Sequence, residues 1–256
     1  MIDNIPMSDT NADSEWKVRC DLAGLYRLIA HFGMTELIYT HISARVPGAK
    51  DHFLINNYGV GFDEMRASDL VKIDYDGNIV DDAEKAKRVN KAGFVIHSAI
   101  HMARHDLTCL VHTHTSAGIA VSCQQVGLLP ISQHALKYYG HVGYHGYEGI
   151  ALDLDERESL VRDLGPHRAM ILRNHGLLAG GRTIPEAFDH IYFLERACQV
   201  QVTARAGGGK LVLPPDDVRL RTAAQFHEFP DVPFYCDLAW EAALRGLPAG
   251  PTAHCC

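Results

Sequence analysis

Two histidines one residue apart, in the run Val111-His112-Thr113-His114, carry the strongest chemical signal in the chain. They close a short apolar run, Leu107-Thr108-Cys109-Leu110-Val111, which reads as a buried strand. Side chains alternate faces along a strand, so His112 and His114 project to the same side and offer two imidazoles from one rigid edge. A third imidazole, His175, stands in Arg173-Asn174-His175-Gly176, directly after a second apolar run, Ala169-Met170-Ile171-Leu172. If the two strands share a sheet, three neutral imidazoles converge at its edge. Three protein ligands leave a coordination position open, which is the arrangement of Lewis-acid catalysis rather than of structural zinc.

A competing pair, His97 and His101 in His97-Ser98-Ala99-Ile100-His101, lies one helical turn apart, the spacing used by zinc proteases. In those enzymes the residue after the first His is a Glu that acts as general base, and here it is Ser98. His97 and His101 are therefore expected to be helix residues that hydrogen-bond to neighbours.

The elements that must hold these side chains follow from periodicity. Trp16, Cys20, Leu25, Leu28, Ile29 and Phe32 recur at near-helical spacing ahead of Gly33, predicting a first amphipathic helix. From Ile42 to Val80 the pattern shifts to short β-branched runs, with Asp76-Gly77 between two of them as a hairpin signal. Residues Val89 to Arg104 return to helical character, and strands are expected near 127–131, 142–147 and 169–173. Thr183, with Pro185 and Glu186 behind it, opens a long helix to about Ala204, closed by Gly207-Gly208-Gly209. Beyond Leu211 the chain is broken by prolines, with one helical stretch around Trp240 to Leu244. This order predicts a single mixed α/β domain with helices covering a sheet. Residues 1–14 are expected to form a loose arm, 15–206 the domain, and 207–256 an extension packed on that domain or on a neighbouring subunit.

Composition narrows the function classes. The 256 residues are 47% hydrophobic and 21% charged, enough to bury a full core, and carry a formal charge of −7. No Lys/Arg cluster provides the footprint that a phosphate backbone requires, so neither nucleic acid nor a membrane is expected as a partner. Seven cysteines without C-x-x-C spacing suit a reducing compartment, and the polar, acidic first residues lack a signal sequence. A cytoplasmic location is the expectation. The 16 histidines are the compositional outlier.

Several separately spaced motifs carry a family resemblance. The runs Asn90-Lys91-Ala92-Gly93-Phe94-Val95-Ile96-His97, Val111-His112-Thr113-His114-Thr115, Gly127-Leu128-Leu129-Pro130-Ile131-Ser132 and Ile171-Leu172-Arg173-Asn174-His175-Gly176-Leu177 resemble the class II aldolase/adducin family, its adducin-like branch above all. The resemblance spans roughly Trp16 to Ala206. It implies a three-layer α/β/α sandwich around a mixed or mainly antiparallel sheet, and a homotetramer. It also implies a divalent metal held by His112, His114 and His175, zinc first, with manganese or iron as alternatives.

Departures from the family pattern bear on the reaction. Family aldolases that cleave sugar phosphates carry a catalytic Glu four residues before the position of His97, where this chain has Gly93. Their phosphate-cradling elements fall on Thr40-His41 and Tyr58-Gly59, placing larger rings there and making His41 and Tyr58 candidate substrate-binding residues for a small non-phosphorylated compound. His134 falls near a Tyr that lies beside the metal in the aldolases and is the candidate proton donor or acceptor. These readings imply a metal-dependent lyase performing aldol-type cleavage or decarboxylation on a hydroxy or oxo acid or carbonyl compound. The alternatives are a non-haem iron oxygenase on the same triad and a non-catalytic adducin-like scaffold.

Overall fold

The computed structural model describes residues 10–80, 88–149 and 156–256. In chain order the elements are α1 (Thr10–His31), β1 (His41–Arg45), β2 (His52–Ile55), a 3-10 turn (Ala67–Asp69), β3 (Val71–Asp74), α2 (Lys91–Ala103) and β4 (Cys109–Thr113). They continue with α3 (Ser116–Ser122), α4 (Gln133–Leu136), β5 (Val142–His145), α5 (Glu156–Leu164), β6 (Ala169–Leu172), β7 (Gly176–Gly181), α6 (Ile184–Ala206), α7 (Asp216–Glu228) and α8 (Val232–Arg245). The strands form one sheet in the order β3-β2-β1-β4-β7-β6-β5, and only the β5–β6 pair is parallel.

Alternation along the strands feeds two cores. Ile42, Ala44, Val111 and Ile171 meet Leu25 and Ile29 of α1, Leu194 of α6 and Trp240 of α8 on one face. Phe53, Leu110, Met170 and Leu178 meet Ile96 and Ile100 of α2 and Leu160 of α5 on the other. The result is the α/β/α sandwich, with a mixed, mainly antiparallel sheet between two helical layers. Among the described residues no helix is long and apolar enough to cross a membrane.

Four local expectations need correction. The sequence places a loose arm over residues 1–14, but helix α1 already runs from Thr10, and residues 1–9 lie outside the described residues. Its first turns are tied down because Glu15 accepts hydrogen bonds from Arg19, one turn on, and from Lys72 of β3, both at 2.9 Å. The segment 127–131 is not a strand: side chains replace a ladder, with Tyr144 Oη accepting from Leu128 N at 3.0 Å and Gln201 Oε1 from Leu129 N at 2.6 Å. Strand β7 was not anticipated, because Gly-Leu-Leu-Ala-Gly-Gly lacks β-branched residues. Its Gly176 and Gly181 are sites of close approach, where a Cβ would fall 2.4 Å from the Thr113 carbonyl oxygen and 2.3 Å from Ala187 N. The tail holds two helices rather than one stretch, and Trp240 of α8 packs on Phe188 of α6 with ring centroids 5.9 Å apart.

Helix α6 starts where its cap predicts. Thr183 Oγ1 accepts from Glu186 N at 3.2 Å, with Pro185 in the first turn. The Glu186 carboxylate does not close the box on Thr183; it turns instead to the backbone N–H and guanidinium of Arg182.

Candidate metal centre

Strand β4 delivers His112 as its penultimate residue, and His114 follows its end. The β4–β7 register, His112 opposite Leu178 and Thr113 opposite Leu177, brings the β6–β7 turn alongside. That turn is made by Asn174 in a left-handed conformation, φ +57°, which Asn tolerates better than most residues. His175 comes next and points at the pair. The Nε2 atoms of His112 and His175 lie 2.8 and 2.9 Å from His114 Nε2, and the three candidate ligand atoms all fall within 4.8 Å of one another.

Hydrogen bonds on the far sides of the rings fix which nitrogen is free. His112 Nδ1–H donates to the Leu177 carbonyl at 2.9 Å, and His114 Nδ1–H donates to Glu36 Oε2 at 2.6 Å. In the neutral rings the Nε2 lone pairs therefore face inward. Lone pairs at this separation repel unless a proton or a cation lies between them. Burial, then the neighbouring imidazoles, holds His112 well below the ordinary histidine range, and burial followed by His114 and His145 brings His175 down to about 4. His112 and His175 thus favour the neutral form that a metal requires, and three inward nitrogens fit a divalent ion.

On the α2 side of the sheet, His41 of β1 lies opposite His112 in the ladder, with ring centroids 5.0 Å apart. Both of its ring nitrogens are buried and unpartnered. The space for the ring comes from Gly93 of α2, where a Cβ would fall 2.6 Å from His41 Nδ1. Behind it, Ser43 Oγ lies 2.7 Å from both His97 Nδ1 and His101 Nε2. A hydroxyl has one proton, so Ser43 donates to one ring and accepts from the other. His97 and His101 are thus a structural pair held by β1, as the absence of a Glu beside them suggested.

The sequence profile of the Class II Aldolase and Adducin N-terminal domain matches residues 20–202. The chain belongs to the class II aldolase/adducin family. It is 46% identical, over 92% of this chain and 91% of the relative, to a Caulobacter vibrioides protein named for the class 2 aldolases. It is also 48% identical to rat alpha-adducin over 75% of this chain, spanning only 26% of that longer protein. Among solved structures, an aldolase II superfamily protein from Pseudomonas syringae shares 53% identity with a TM-score of 0.87, covering 94% of this chain and 96% of that one. L-Fuculose 1-phosphate aldolase from Glaciozyma antarctica shares 28% identity at a TM-score of 0.81, covering 94% of each chain.

Within this class II aldolase/adducin fold the other sequence candidates separate. Tyr58 sits near the loop that leads into β1, its ring 6.5 Å from that of Tyr39. His134, on α4, lies against Phe193 of α6 with ring centroids 5.4 Å apart, and no recorded interaction joins it to the triad among the described residues. Residues that the sequence reading passed over include Glu36 and Glu195. Glu36 sits in a loop where Leu37 and Thr40 adopt φ +51° and +69°, a conformation costly for non-glycine residues. Glu195 accepts from Thr115 Oγ1 and, at 2.8 Å, from Gln199 Nε2, with its carboxyl raised by burial. Thr115 also caps α3, so Glu195 anchors the chain just past His114. Neither residue carries a local motif; each is found only through its tertiary partner.

Proposed function

We propose that this class II aldolase/adducin chain is a metal-dependent lyase for a small, non-phosphorylated hydroxy or oxo acid or carbonyl compound. The observation that carries this reading is the convergence of three Nε2 atoms, two of them aimed by hydrogen bonds to Leu177 O and Glu36. A divalent ion held by His112, His114 and His175 would supply Lewis-acid polarisation of chelating substrate oxygens. Zinc is the first choice and manganese or iron the alternatives, since imidazole suits all three.

The chain's own residues shape the reaction further. No carboxylate stands at Gly93, and the ring of His41 fills that space, so the general base expected of a sugar-phosphate aldolase is missing from this position. Decarboxylation fits this arrangement, because loss of CO₂ itself leaves the carbanion and only the later protonation needs an acid. His134, whose ring stacks on Phe193, is the proposed proton donor or acceptor. We also propose a homotetramer located in the cytoplasm.

The likeness to alpha-adducin supports a second reading, a scaffold that keeps the triad without turnover. The deciding experiment is metal analysis of protein purified without added metal, with and without air, together with assays of CO₂ release, aldehyde release and O₂ consumption on hydroxylated and 2-oxo acids. Zinc or manganese with CO₂ or aldehyde release supports the lyase. Bound iron with O₂ consumption would replace it with an oxygenase, and a metal-free, inert protein would favour the scaffold.

A further inference from the structure

A cavity of about 370 Å³ opens at the other end of the sheet from the triad. Arg168 precedes β6 and Arg182 follows β7, whereas His175 occupies the turn between these strands, so the two sites are separated by roughly the 20 Å length of β7. Its volume lies in the range of small-molecule pockets, about 300–1,000 Å³.

The lining is rich in donors and cations: Lys137, Arg168, His141, His167, His190 and His227 all face the space. Two ion pairs account for part of this charge. Lys137 is held by Asp189, and Arg182 forms a forked contact with Glu186, 2.7 Å at its shortest. Arg168 reaches Glu186 only at 3.6 Å, the sole ion pair recorded for it among the described residues. Glu228 is the other acid in the lining, and it is exposed. The imidazoles of His141 and His227 stack at 4.0 Å, and His227 Nε2–H is committed to the Lys137 carbonyl at 2.7 Å. His190 is 6% exposed, and its Nδ1 is buried without a partner. A buried polar atom in this state calls for a partner that no described residue supplies.

We propose that this cavity binds a small oxyanion, a phosphate or carboxylate group, through Arg168, His167 and His190. Arg168, with Glu186 no nearer than 3.6 Å, keeps a charge that an anion can match. Burial and then Lys137 and Arg168 hold His190 well below its ordinary range, and burial followed by His141 and Arg104 lowers His167. A metal is the weaker occupant, because the only three-ligand group close enough for an ion among the described residues is His112, His114 and His175. The site is independent of the chemistry proposed at the triad.

The test is calorimetric titration of the purified full chain with inorganic phosphate and, separately, with succinate. One saturable anion site per chain is expected, weakened at least tenfold by Arg168→Gln and by His190→Asn, partly restored by Arg168→Lys, and unchanged by His175→Ala. Preference for phosphate or for succinate assigns the tetrahedral or the planar group, and either supports the proposal. Absence of saturable binding up to 10 mM of both anions overturns it. So does binding that survives Arg168→Gln and His190→Asn but disappears in His175→Ala, which would move the anion to the triad.

Discussion

His41 and Gly93 form a matched pair: the imidazole sits where any side chain at position 93 would have to go, with a Cβ there only 2.6 Å from Nδ1. Adding even one methyl forces the ring to shift. Gly93→Ala is therefore expected to destabilise the fold by about 1–3 kcal/mol, the ordinary cost of overpacking. In a His41→Ala background the same substitution should cost markedly less. Urea denaturation of the four proteins in the cycle measures this coupling, and additive effects would mean that the ring has another place to go.

Glu36 orients His114 through a 2.6 Å hydrogen bond while remaining half exposed, so its removal should spare the fold. We expect Glu36→Gln to weaken metal binding by about 10- to 100-fold, as is usual for groups that aim a ligand imidazole. Competition with a chelator of known affinity provides the measurement. Unchanged affinity, with the melting temperature preserved, would show that the carboxylate does not orient the ring.

Asn174 holds the turn that aims His175, at φ +57°. Asn174→Gly should be nearly neutral in stability, whereas Asn174→Val should cost about 1–3 kcal/mol because a β-branched residue resists that conformation. Metal content should fall with the Val variant and persist with the Gly variant. Equal metal loss in both would point to the amide side chain rather than the backbone.

A pH dependence is expected from Glu186. Burial raises its carboxyl, but hydrogen bonds from the Arg182 side chain and backbone, with Arg168 nearby, outweigh that and bring it below the usual range. A folded value below the unfolded one, near 4.3, gives stability that is full above that pH and lost as pH falls through the folded value. Arg182→Gln should cost about 1–3 kcal/mol at pH 7, and the gap to the unmodified protein should narrow below about pH 4. Denaturation curves at pH 7, 5 and 3.5 test the sign; a gap that widens in acid would refute it.

The triad was legible because strand alternation and a post-strand position are local facts about His112, His114 and His175. The sandwich followed from the family motifs and the order of periodic segments. What escaped the sequence depends on partners far away. Glu36 meets His114 across 78 residues, and Gly93 makes sense only once β1 places His41 against α2. Strand β7 lacks the β-branched signature because packing demands glycine at its ends, and α7 is so polar that only Ala223 is buried. His134 rests on its family position alone, since its ring contact with Phe193 of α6 has no local sequence signal.

The end of the chain returns to its beginning. Gly24 of α1 lies under the His254 ring, Ala67 N donates to the His254 carbonyl, and Ser68 Oγ donates to the Cys256 carbonyl at 3.1 Å across 188 residues. Helix α1 therefore receives part of its cover from residues synthesised more than two hundred positions later. While the chain is still on the ribosome, this surface has to wait uncovered, and such late closure exposes a nascent protein to chaperones and to aggregation.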